Sequence, residues 1–137
     1  MRLTILNEIG GLLDRKFKRF KKHLWRSSGS HAVGKRIAKH LERGRKRYND
    51  KAYTVAIEEF RHVLTIDPKH QRALYYIANA CYKTNDYSQA RRYWEQCISA
   101  DPVSKFADLA HTRLQHLDKQ NRRGKSKLEE FYRQVGS

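Results

Sequence analysis

Apolar residues recur at steps of three and four along most of this chain, the spacing that turns one side of an α-helix toward a core. Near the N-terminus Ile5, Ile9, Leu12 or Leu13, Phe17, Phe20 and Leu24 make one such face. Residues 1–26 are therefore predicted as an amphipathic helix, which Gly10 and Gly11 weaken by about 1 kcal/mol each. Residues 27–34, rich in Ser and Gly, read as a flexible linker. From Lys35 the helical period resumes, so residues 35–137 are expected to form one domain.

Within that domain the chain repeats itself. Pro68 and Pro102 are its only prolines; each follows an Asp, and they lie 34 residues apart. The same offset carries Tyr53 onto Tyr87, Ala56 onto Ala90, Phe60 onto Trp94, Asp67 onto Asp101, and small Gly44 onto small Ala78. Small residues let two antiparallel helices approach closely, and the aromatic that follows Ala-x3 fills the gap between neighbouring repeats. Proline cannot continue a helix and biases the residue before it away from one, so Asp67 and Asp101 are expected at helix ends.

This pattern resembles the tetratricopeptide-repeat (TPR) family, whose units pair two helices over 34 residues with Ala-x3-Phe in the second helix and Pro beyond it. Residues 71–104 fit it well, with Leu74, Ile77, Ala78 and Cys81 in the first helix and Ala90, Trp94 and Pro102 later. Residues 37–70 match at Gly44, Ala56, Phe60 and Pro68, while His40, Arg43 and Arg47 stand where apolar or aromatic residues are usual, as at a polar end cap. Continuing the offset puts Thr112, Gly124, Leu128 and Phe131 on the corresponding positions of a degenerate third repeat over 105–137. The expected fold is all-α: an antiparallel helix-pair solenoid of two clear repeats plus a degenerate third, preceded by the basic amphipathic helix. Two repeats alone would be marginal, which favours the third.

The resemblance implies that first helices line the inner wall. The groove would then display Leu41, Arg45, Tyr48, Arg72, Tyr75, Asn79, Tyr82, Phe106, Leu109 and Arg113, an aromatic and basic surface suited to an extended or helical acidic peptide. One TPR subclass grips the C-terminal carboxylate of chaperones with Lys and Asn; Leu41, Arg45, Tyr76, Phe106 and Ala110 occupy those positions here, so that clamp is absent.

Charge widens the choice of partner. Thirty Lys and Arg against 14 Asp and Glu leave a net +16, which favours polyanions. Arg15, Lys16, Lys18, Arg19, Lys21, Lys22 and Arg26 crowd the N-terminal helix and suit an anionic membrane, a partner groove or nucleic acid. Arg45, Lys46 and Arg47 close a second cluster that begins at Lys35, and Lys119, Arg122, Arg123, Lys125 and Lys127 form a third. Such runs are usually solvated faces, yet each phosphate contact they make would add sequence-independent affinity. No zinc-finger spacing, RNP-type motif or leucine zipper accompanies them.

Chemistry is not expected. The seven histidines show no HExxH motif and no pairing with a nucleophile, and His111 and His116 are too far apart to share a helix face. Cys81 and Cys97 fall on core-facing positions of the repeat, where a thiol acts as a small hydrophobe. No catalytic residue, metal or cofactor is predicted. No uninterrupted apolar run resembles a signal or a membrane span, so a cytoplasmic protein is expected. The reading is a non-enzymatic adaptor or scaffold that binds an acidic protein or peptide, in assembly or stabilisation of a larger complex. Its rivals are an RNA- or ribosome-associated protein and a peripheral membrane organiser anchored by residues 1–26. Self-association through an exposed array end is a further open course.

Overall fold

The structure, a computed structural model, describes residues 28–136. The predicted N-terminal amphipathic helix lies outside them. Among the described residues five helices follow one another: α1 (Ser28–Asn49), α2 (Tyr53–Ile66), α3 (Gln71–Lys83), α4 (Tyr87–Ala100) and α5 (Lys105–Val135). Among the described residues there is no strand. The chain divides after Arg36 into two units; of the first, only the opening turns of α1 are described, and the second, Ile37–Ser137, holds the packed array.

Short turns fold α1 on α2 and α3 on α4 as antiparallel pairs, and α5 packs on α4 and reaches α3. The small-to-large matches found in the sequence are where the pairs lock. A Cβ added at Gly44 would lie 2.6–2.8 Å from three carbons of the Phe60 ring, so only glycine admits that ring against α1. Ala78 and Trp94, one repeat further on, are both buried. Phe60 also stacks on Tyr76 of α3, with centroids 5.3 Å apart, and so ties the first pair to the second.

The helix ends repeat as faithfully as the core. Asp67 and Asp101 stop α2 and α4 in extended backbone, and each carboxylate accepts a bond from the amide two residues on, that of Lys69 and of Val103. Inside each pair the turn passes through a left-handed residue, Lys51 at φ 60° and Asn85 at φ 63°, again 34 positions apart. His70, Asp86 and Ser104 cap the starts of α3, α4 and α5. The Gln71 amide donates to the carbonyls of Cys97 and Asp101, both at 2.8 Å, and so joins the start of α3 to acceptors that the end of α4 leaves open.

Two expectations need correction. Residues 28–34, predicted as a flexible linker, are the first turns of α1. A helix already formed extends at little cost per residue, and isolated Ser and Gly subtract only about 0.5–1 kcal/mol each. The degenerate third repeat is a single continuous helix rather than a pair. The offset that gives the α3–α4 turn its Asn85 and Asp86 places Lys119 and Gln120 in α5, so neither the left-handed residue nor the capping carboxylate recurs. Thr112, Gly124, Leu128 and Phe131, which were to hold core positions, are exposed.

Gly44→Ala should cost the fold up to about 2 kcal/mol, since a Cβ 2.6–2.8 Å from a buried ring puts overpacking near the upper end of its usual range, about 3 kcal/mol, against a helix-propensity gain of about 1 kcal/mol. Gly124→Ala meets nothing within 4 Å and should keep that gain. Urea unfolding followed by circular dichroism should therefore move the two midpoints in opposite directions.

Candidate functional site

The first helices of the two pairs, α1 and α3, together with the single helix α5, contribute to one aromatic wall. Ring centroids run from Tyr48 to Tyr76 (6.0 Å), Tyr76 to Tyr75 (5.9 Å) and Tyr75 to Phe106 (5.8 Å). Two clefts open along it. The larger, about 390 Å³, is lined by Tyr48, Asn49, Lys51, Tyr53, Asn79, Tyr82, Lys83, Trp94 and Arg113. The smaller, about 220 Å³, is lined by Ala38, Leu41, Glu42, Arg45, Arg72 and Tyr76.

Of the ten groove residues named from the sequence, Tyr48, Asn79, Tyr82 and Arg113 meet in the larger cleft and Leu41, Arg45 and Arg72 in the smaller. Tyr75 is not a groove-surface residue. It is buried, with α5 laid over it through Phe106, itself half-buried. Leu109 is exposed but lines neither cleft. The sequence reading missed Lys51, Tyr53 and Lys83 because it considered only the inner wall of the first helices, whereas the turn after α1, the start of α2 and the last residue of α3 supply these side chains. The Gly-like backbone of Lys51 left no trace in its residue type.

The larger cleft is specialised in charge. Lys51, Lys83 and Arg113 line it and no acidic residue does, and among the described residues none of the three has an ion-pair partner. Trp94 Nε1 donates to Asn79 Oδ1 at 3.2 Å, which occupies the amide oxygen and leaves the NH2 as the group Asn79 offers. Tyr82 donates its hydroxyl to Gln120 at 3.0 Å, fixing its ring beside Trp94. Burial pushes the Tyr48 phenol above its ordinary pKa, Tyr53 adds to the rise, and Arg113 opposes it. The cleft thus presents neutral aromatic faces under a cationic rim, which suits carboxylates joined to apolar groups. In the smaller cleft Arg45 is paired with Glu42 at 3.2 Å and is mostly exposed, a weaker arrangement.

Other charged residues are placed otherwise. Lys46 and Arg47 stand exposed in the last turn of α1, where cations are stabilised by the negative end of the helix dipole and need no ligand. Lys119, Arg122, Arg123, Lys125 and Lys127 are exposed on α5. Arg15, Lys16, Lys18, Arg19, Lys21, Lys22 and Arg26 lie outside the described residues. His40 Nδ1 lies 2.8 Å from Glu59 Oε2 and ties α1 to α2, while among the described residues no cluster of His, Cys, Asp and Glu could hold a metal ion. A cleft of about 460 Å³ between the α2–α3 turn and α4 shares no residue with the aromatic wall. No described helix is long and apolar enough to cross a membrane.

Both thiols are buried. Burial raises Cys97 to about 11; Cys81 is also raised, by burial first and by Asp86 second, with Arg61 opposing. Neither should react with a thiol reagent at pH 8 in the folded chain, and both should react in urea. Because the unfolded chain ionises first, the Cys97 contribution leaves stability unchanged below about pH 9 and lowers it as pH rises toward 11. Alkaline unfolding titrations of the native chain and of Cys97→Ala should differ in that window.

Residues 71–116, which cover α3, α4 and the first part of α5, match the family model described as the Fis1 C-terminal tetratricopeptide repeat. No curated protein matches the chain.

Proposed function

We propose that this chain, a tetratricopeptide-repeat protein by its match over residues 71–116, is a non-enzymatic adaptor, holding an extended acidic segment of a partner protein along the wall of α1, α3 and α5 and so helping to assemble or stabilise a larger complex. Binding of proteins is the general work of this family. The single observation that carries the finer reading is the larger cleft, where three cations without carboxylate partners rim a wall of aromatic rings. Aromatic side chains give contact area at low entropic cost, and a partner carboxylate meeting Lys83 or Arg113 makes a charge-assisted bond. Two residues of the rim, Lys51 and Lys83, sit at or beside turns that the core interlock holds in place. The binding surface is therefore largely preformed, which limits the ordering cost of association.

An RNA-binding role would rest instead on the exposed cations at the end of α1, and binding experiments separate the two. Extended peptides alternating Glu or Asp with Leu or Phe should bind the full-length chain at about 150 mM salt, and their Lys-containing counterparts should not. Lys83→Glu combined with Arg113→Glu should weaken that binding by roughly tenfold or more, about 1.4 kcal/mol or above. Arg43→Ser, Lys46→Ser and Arg47→Ser together should change it by no more than about twofold, since these residues line neither cleft. If the triple variant abolishes binding to acidic peptide and to generic RNA alike while the cleft pair does nothing, the groove is not the site.

A further inference from the structure

The stripe by which α5 packs on the array does not end where the array ends. Positions 107, 110, 114, 117, 121, 124, 128, 131 and 135 alternate steps of three and four, the a and d positions of a continuous heptad. In the first half Ala107, Ala110 and Leu117 are buried and Leu114 is half-buried. In the second half the same stripe carries Asn121, Gly124, Leu128, Phe131 and Val135, and every residue from Lys119 to Val135 is exposed. Leu128, Phe131 and Val135 keep 53%, 57% and 67% of their surface. Beyond the bond from Tyr82 to Gln120, this half of α5 extends about 22 Å.

We propose that the C-terminal half of α5 is a second docking element, which pairs with an acidic amphipathic helix of another protein as a two-stranded coiled coil. The flanking positions select that occupant. Lys125 stands at e and Lys127 at g, one on each side of the seam. In an antiparallel pairing of two copies e meets e and g meets g, and the one carboxylate at those positions in or beside the exposed half, Asp118, is already paired to Arg91; in a parallel in-register pairing g meets the following e, so Lys125 faces Gln120 and Lys127 faces Tyr132, and neither lysine gains a carboxylate. The chain's own N-terminal segment fits no better, because its second half carries seven cations of its own. A partner with Glu at its e and g positions satisfies both lysines. The strict a/d width of the stripe, with Asn121 at an a position, is that of a helix-pairing seam; an interfacial membrane helix needs a broader apolar face. Gly124, open to more than 4 Å, leaves room for a large partner side chain.

The proposal uses none of the cleft residues, so it stands or falls separately from the groove. The probe is a designed helical peptide of about three heptads with Leu at a and d and Glu at e and g, set against a twin with Lys at e and g. Isothermal titration into the full-length chain should show the Glu peptide binding at least about tenfold more tightly than its twin. Lys125→Glu with Lys127→Glu should reverse the preference, and Leu128→Ser with Phe131→Ser, exposed and outside the core, should abolish binding. Equal binding by the Leu128→Ser, Phe131→Ser variant would mean attraction to net charge alone and would overturn the idea. So would sedimentation showing that α5 pairs with a second copy, or anionic phosphatidylserine vesicles binding through the same residues while the Glu peptide does not.

Discussion

Phe60 sits against α1 in a space that exists only because residue 44 has no side chain, and the rest of the array is registered from that contact. The ring is fully buried, stacks on Tyr76, and so fixes α1, α2 and α3 in one step. Trp94 repeats the device one unit later, and its indole nitrogen is satisfied by Asn79. A close-packed interior tolerates little change in volume, so these two aromatic plugs determine the spacing of the first helices. That spacing in turn determines how far apart the rings of the wall stand.

The groove is thus a by-product of packing on its opposite side. Asn79 shows the coupling directly: its oxygen serves the buried Trp94 while its residue lines the larger cleft. Tyr82 likewise touches Trp94, lines the cleft and donates to Gln120 of α5. Ion pairing adds to the same junction, where Arg91 of α4 meets Asp118. Past these contacts no further helix among the described residues packs on α5, and it continues as an exposed seam.

Much of this was legible in the sequence because it depends on residue types with few substitutes. Gly44, Ala78, Phe60, Trp94 and the two Asp-Pro pairs each do what their chemistry requires, and the 34-residue offset finds them together. What was not legible depends on residues whose type does not announce their conformation. Lys51 takes a left-handed turn that an Asn such as Asn85 would advertise and lysine does not, so its place on the rim of the larger cleft is not legible from its type. The family resemblance puts Tyr75 on the groove, yet Phe106, from a helix distant in sequence, covers it. The third repeat was read from spacing alone, but a turn needs a residue able to make it, and Lys119 and Gln120 continue a helix instead. In the smaller cleft, the local pairing of Arg45 with Glu42 was equally invisible to a reading that treated each residue singly.

The most direct test of the groove is a map of where an acidic partner peptide contacts the chain. Amide and side-chain NMR shifts recorded as an acidic, apolar peptide is titrated in should move most at Asn49, Asn79, Tyr82, Lys83 and Arg113, with the Trp94 indole signal following through its bond to Asn79. Shifts confined to the exposed cations of α1 and α5, with those five residues unmoved at saturation, would contradict the account.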